Sequence, residues 1–136
     1  MTSSSLSTNI LTALQNKAAQ LRIERVQATT EATSGHPSTC CSATNIVATR
    51  FFSVMRDDPM NPKALNSQRF TLSTEHAAPL LDAAWAEAGH LPKSDLLKLR
   101  TLESDLEGHP TPRLSFVDTA TGSSRMPRPS RAASSP

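Results

Sequence analysis

Cysteine is scarce in this 136-residue chain: Cys40 and Cys41 are the only two, and they are neighbours. Adjacent cysteines do not readily bridge each other, because a disulfide wants its alpha carbons well apart and its side chains convergent. That excludes a disulfide framework. No charged-then-apolar leader stands at the amino end, and no apolar run approaches the length of a membrane span. These shortages predict a soluble protein of a reducing compartment, the cytoplasm by default, with no membrane partner. Gly-rich loops, a Ser-His-Asp order and a His-Glu-x-x-His helix are absent too, which removes the reaction classes those motifs announce. Acid is missing from residues 123–136, which hold Arg125, Arg128 and Arg131. The overall charge of +2 therefore leaves the rest of the chain at −1, and with no basic stripe on a foldable face the sequence predicts no nucleic-acid partner.

Glycine and proline are also missing from Asn9 to about Thr33, where Ile10, Leu11, Leu14, Ala18 and Leu21 recur at helical spacing before the apolar face drifts to Ile23 and Val26. This predicts a first helix, broken at Ser34-Gly35-His36-Pro37. A second runs from Ser38 to about Arg56 with Ala43, Ile46, Val47, Phe51, Val54 and Met55 on one side; residues 57–66, with two prolines and two asparagines, read as loop. Phe70 and Leu72 alternate with Arg69, Thr71 and Ser73 as a short strand. A third helix starts near His76 to Pro79, runs through Leu80, Leu81, Ala84, Trp85 and Ala88, and closes at Gly89. Ser94-Asp95 caps a short helix through Leu96, Leu97 and Leu99, and residues 105–118 read as loop with one apolar pair, Phe116-Val117. Residues 1–8 and 124–136 are too polar to offset the cost of ordering and are expected to be disordered, leaving 9–123 as the folded unit.

Three of the four histidines sit in loops or at expected helix starts: His36 in Ser-Gly-His-Pro, His109 in Gly-His-Pro, and His76 three residues before Pro79. An imidazole there is exposed, and at a helix amino end the backbone N–H groups favour an anion, so the combination suits a phosphate or a sugar hydroxyl. Each alone reads more simply as a surface histidine in a turn. A zinc site at His36, Cys40 and Cys41 lacks the paired ligand spacing of known sites, and the cysteines read better as small apolar residues of the second helix. Glu31, Glu75, Glu87 and the Asp105/Glu107 pair are scattered in the manner of solvated faces.

Taken in order, Leu21-Arg22-Ile23, Gln27-Ala28-Thr29, Ser34-Gly35-His36-Pro37, Cys40-Cys41-Ser42-Ala43, Phe51-Phe52, Met55-Arg56, Asn61-Pro62, Arg69-Phe70, Leu72-Ser73, His76-Ala77-Ala78-Pro79, Trp85-Ala86-Glu87-Ala88-Gly89, Asp105-Leu106, Gly108-His109-Pro110 and Ala120-Thr121-Gly122-Ser123 resemble the start of animal transketolases and transketolase-like proteins, from about Leu14 to Ser123. The resemblance implies an α/β thiamine-diphosphate-binding fold, of which this portion should be mainly α-helical with one or two short strands. It implies a cytoplasmic homodimer of the pentose phosphate pathway that moves a two-carbon ketol unit between sugar phosphates, with thiamine diphosphate and Mg²⁺ as cofactors. By the same resemblance His36 and His109 face the substrate, while Thr39, His76, Gly122 and Ser123 face the cofactor.

There are departures. Ser124 stands where the family continues with leucine and further glycine, and Thr74-Glu75 replaces a basic residue and glycine, placing a carboxylate where a phosphate is expected. The family's Gly-Asp-Gly motif and later Asn, which hold the divalent ion, have no counterpart here, so no metal ligand is assigned. The expectation is a truncated form inactive by itself. The alternative is a non-catalytic module that binds or modulates a full-length transketolase subunit through faces left uncovered.

Overall fold

The computed structural model describes residues 3–33, 37–72, 77–106, 109 and 111–117. Among these residues three α-helices, α1 (Ser3–Glu31), α2 (Pro37–Thr49) and α3 (Ala78–Ala88), are accompanied by a π-helical turn over Arg50–Val54 and a 3₁₀ helix over Lys93–Lys98. α1 packs against α2, α3 and the 3₁₀ helix.

α3 is the centre of the core. Every residue from Ala78 to Ala86 is buried, and apart from Asp82 the run is apolar on all sides, the signature of a helix enclosed by its neighbours rather than laid on a surface. Pro79 sits in the first turn, where its missing N–H costs nothing. At the far end Gly89 adopts a left-handed conformation (φ 96°), its N–H donating to the Ala86 carbonyl and that of His90 to the Trp85 carbonyl. This termination turns His90 back onto Trp85, with the ring centroids 4.6 Å apart.

α1 carries its core stripe on Ala18, Leu21, Arg25 and Ala28, not on Ile23 and Val26, which are about half exposed. The expected drift of the face is corrected by Arg25. A charged residue occupies the next apolar slot in the helical register and is 0 % exposed, so the stripe runs straight on. α2 likewise buries Thr44, Val47 and Ala48 and leaves Ile46 exposed. Beyond Thr49 the helix widens into the π-helical turn, with Met55 N–H donating to the Arg50 carbonyl at 2.7 Å. The added residue per turn brings Phe51 into the core, 5.0 Å from Phe70 and 4.8 Å from Trp85 between ring centroids, in edge-on contacts.

Three further expectations are corrected. α1 begins at Ser3, so residues 3–8 are helical where disorder is expected: with no Gly or Pro, the polar start propagates from a helix already nucleated by its packed half. No strand occurs among the described residues. Phe70 and Leu72 are half-buried while Arg69 and Thr71 are exposed, so the alternation is right, but an extended segment without a ladder partner is not a strand. Ser94-Asp95 does not cap its helix, which starts at Lys93 after Pro92 and is 3₁₀ rather than α. Leu96 and Leu99 are buried there and Leu97 is exposed. Phe116 is buried against Trp85 and His90, whereas the expected tail, 124–136, lies outside the described residues.

Candidate functional site

The two helix amino ends that the histidine pattern singled out are real features of the fold. α2 starts at Pro37, the residue after His36, and α3 starts at Ala78, two after His76. Neither first turn contains an acidic residue, so nothing on them opposes an anion attracted by the free N–H groups and the helix dipole. Thr39 falls in the first turn of α2. His36, His76, Gly122, Ser123 and the Thr39 side chain lie outside the described residues. His109 is described, and it is exposed. The mutual placement of the six therefore falls outside the described residues.

What the structure does assemble is a polar framework behind those helix ends. Arg25, enclosed between α1 and α2, donates from Nη2 to the Cys41 Sγ at 3.0 Å, and its carbonyl accepts from Thr29 Oγ1 at 2.9 Å. Cys41 lies in α2, as expected, and is exposed. Its sulfur is the acceptor for a guanidinium. One helical turn away Arg22 Nη2 donates to Asn45 Oδ1 at 2.8 Å, so two arginines of α1 grip α2 along its length.

A second cluster ties α1 to α3. Lys93 Nζ lies 2.9 Å from Glu24 Oε1 and also pairs with Glu87, which pairs in turn with Lys17; Gln20 Nε2 donates to Glu24 Oε1 at 2.9 Å. The two carboxylates are 7 % and 5 % exposed while both lysines reach solvent. Burial pushes the Glu87 carboxyl up, but hydrogen bonds from Lys17 and Lys93, with Glu24 adding to them, more than reverse this and hold it at about 2. The same bonds, Glu87 first and then Glu24, raise the Lys93 ammonium. Glu87 is thus no solvated face. Its partner sits across the Gly89 turn, a distance in sequence that no helical spacing rule connects.

Sequence reasoning attached nothing to His90. Its ring is 1 % exposed, pairs with Asp57 through Nε2, and lies between Trp85 and Phe116, fastening the loop after the π-helical turn to the end of α3. Asp82 is the other missed residue: enclosed in the core, its carboxyl is pushed by burial up to about 7. An aspartate inside an otherwise apolar helix was the available signal. The ion pairs of Glu24, Glu87 and His90 hold the elements in place, and neither they nor Asp82 make a pocket of convergent catalytic groups among the described residues.

Relatedness supplies what geometry leaves open. Residues 14–124 match the family described as the transketolase thiamine diphosphate binding domain. The chain is 54 % identical over 113 residues to the transketolase of Mus musculus, covering 83 % of this chain and 18 % of that protein. It is 53 % identical over 121 residues to transketolase-like protein 2 of Bos taurus (89 % and 19 % covered), and 36 % identical over 104 residues to the transketolase of Aquifex aeolicus (75 % and 15 %). The chain spans about a fifth of the length of the curated relatives it matches. No helix among the described residues is long and apolar enough to cross a membrane. With helix starts, arginine grips and central apolar helix all falling inside the matched stretch, the chain belongs to the transketolase thiamine-diphosphate-binding domain family.

Proposed function

We propose that this chain supplies part of the diphosphate wall of a transketolase-type site, the helix starts of α2 and α3 receiving the anionic end of thiamine diphosphate. The observation that carries the reading is the family match over 14–124, which contains two helices with no acid in their first turns, one starting directly after His36 and one near His76, with Glu75 just before the second in sequence. The donor set fits a diphosphate: backbone N–H groups, a threonine hydroxyl at Thr39 and imidazoles at His36 and His76. Gly122 and Ser123 belong to the same proposed cofactor contact, and His36 and His109 to a sugar-phosphate contact. When bound, thiamine diphosphate supplies the carbanion stabilisation of two-carbon ketol transfer. The chain's own share is to bind and orient.

The reading carries with it the rest of the expected setting: sugar phosphates of the pentose phosphate pathway as substrates, Mg²⁺ on the diphosphate, a cytoplasmic location and a homodimeric whole enzyme. For the 136 residues by themselves we infer no turnover, since no oxygen-ligand motif for the ion is assigned among them and half a phosphate site gives little binding free energy. The test has two arms. The isolated chain should show no rise in melting temperature with thiamine diphosphate and Mg²⁺, and a saturable rise overturns its inactivity. A chimera of the Mus musculus transketolase, carrying this chain's 113 matched residues in place of its own, should bind thiamine diphosphate; a folded chimera that does not bind it sinks the assignment.

A second reading, the docking module, draws support from Ile23 and Val26 on the outer side of α1 and Ile46 on α2, which are 52 %, 45 % and 68 % exposed. Co-purification with full-length transketolase, abolished by Ile46→Glu, separates it from the first.

A further inference from the structure

Neither helix start proposed to meet the diphosphate has acid in its first turn, but α3 has one in its second. Asp82 stands four residues after Ala78, about 6 Å along the helix axis. It is 4 % exposed, and its neighbours from Ala78 to Ala86 are all buried and apolar. No hydrogen bond or ion pair reaches its carboxyl among the described residues, and burial is what raises it, to about 7. Neutral and ionised forms therefore exchange around neutral pH. The Ala77 side chain makes no cap, which leaves the N–H groups of the first turn to an outside acceptor.

We infer that Asp82 is a pH-sensitive brake on this wall: as the neutral acid it leaves the start of α3 open to a diphosphate, and once ionised it opposes one. The inference rests on the diphosphate role proposed for that helix start. Two anions would then share one end of one helix, with protein between them. At a separation of about 10 Å, in the effective dielectric that describes protein interiors, a unit charge acting on a diphosphate changes its affinity by on the order of tenfold. Such coupling is reciprocal: if ionisation weakens the anion by that factor, the bound anion holds the proton on Asp82 to a correspondingly higher pH.

The charged groups on the elements packed against α3 have partners of their own or face solvent, and none is bonded to Asp82 among the described residues. On α1, Lys17 pairs with Glu87, Arg22 bonds Asn45, Glu24 pairs with Lys93, Arg25 bonds Cys41, and Glu31 is exposed. α2 has no ionisable side chain beyond its two thiols. Arg50 of the π-helical turn is exposed, and on the 3₁₀ helix Lys93 pairs with Glu24 and Glu87 while Lys98 pairs with Asp95. Asp82 is thus the ionisable group of α3 nearest its amino end, enclosed where water and salt screen it least.

The test compares the Mus musculus chimera with its Asp82→Asn form, measuring thiamine diphosphate affinity by calorimetry from about pH 5.5 to about pH 8.5. The ionisations of the ligand and of His76 enter both proteins and cancel in the ratio. The two dissociation constants should agree within about twofold at the acid end, and the unaltered chimera should bind on the order of tenfold more weakly than the Asn form at the alkaline end. Asp82→Leu removes the same ionisation and replaces the Asn form if that one does not fold. A purely structural Asp82 would move no proton on binding, so proton uptake is the second readout. Near pH 7 the unaltered chimera should take up a fraction of a proton that the Asn form does not, seen as binding heats that differ between buffers of different ionisation enthalpy. A ratio that stays constant across the range, or equal proton uptake, overturns the brake and leaves the wall in place, whereas a folded chimera that binds at no pH removes wall and brake together.

Discussion

Asp82 offers the sharpest test of the core as described. In the unfolded chain its carboxyl titrates near 3.8, whereas burial in α3 raises it to about 7. Below 3.8 both states hold the proton, and the group contributes nothing to a pH dependence. Between 3.8 and 7 the unfolded state ionises while the folded state keeps its proton, so the folded protein loses stability steadily as pH rises. Above 7 the loss is complete and constant. At about 1.36 kcal/mol per unit, the interval amounts to about 4 kcal/mol, an upper estimate because water penetration and relaxation reduce such costs.

Replacing Asp82 by Asn keeps the shape and removes the ionisation. The stability difference between Asp82→Asn and the unaltered chain should therefore be near zero or slightly unfavourable at pH 4, and should grow in favour of Asn up to pH 7 by about 2–4 kcal/mol. It should then level off. Urea unfolding followed by the fluorescence of Trp85, the single tryptophan and itself buried, reads this directly. Titrations of all other groups occur in both proteins and cancel in the difference. Parallel stability curves from pH 4 to 8 would refute the argument, since an enclosed and charge-averse Asp82 cannot produce them.

Two other consequences concern the joints of the fold. Glu87→Gln should destabilise the chain by about 1–3 kcal/mol at neutral pH, less than for a fully buried pair because both lysines reach solvent. Its folded carboxyl is held at about 2 against an ordinary 4.5, so the contribution is present above 4.5 and the gap should close as pH falls from there toward 2, visible as converging urea midpoints. Gly89→Ala should cost about 1 kcal/mol through the backbone alone: the new methyl would meet only Pro59 at 3.7 Å, an ordinary contact, while φ 96° is strained for any side chain. Thermal melts that show no loss would mean that the turn is not held in the left-handed form.

Much of the fold is legible in the sequence where the pattern is local. α3 and its Gly89 stop follow from an apolar run bounded by Pro79 and glycine, and each of those signals acts within one turn of the residue that carries it. What misleads is the assumption that burial follows polarity. Arg25 and Thr44 are fully enclosed while Ile23 and Ile46 face outward, because each helix has one side to bury and takes whatever residues stand on it. The register of a helix fixes the face more firmly than the character of any one residue, and a buried arginine is tolerated once its guanidinium has partners such as Cys41.

The site is legible in a different sense. His36, Thr39, His76 and His109 are named by an ordered resemblance, and the resemblance is confirmed at the level of the family, yet no local rule could have announced His90, Glu24 or Glu87 as structural polar groups. Their partners are thirty or more residues away or across a turn: His90 with Asp57, Glu87 with Lys17, Glu24 with Lys93. Such pairs form because α1, α3 and the loop after the π-helical turn converge, and convergence belongs to tertiary structure. It follows that the framework pairs and the proposed cofactor contacts answer to different perturbations. Substitution at Glu87 should move stability and leave diphosphate affinity in the chimera unchanged, whereas substitution at His76 should do the reverse. A Glu87→Gln chimera that remains folded but loses thiamine diphosphate would show that the clamp between α1 and α3 sets the helix starts, and would join the two groups into one site.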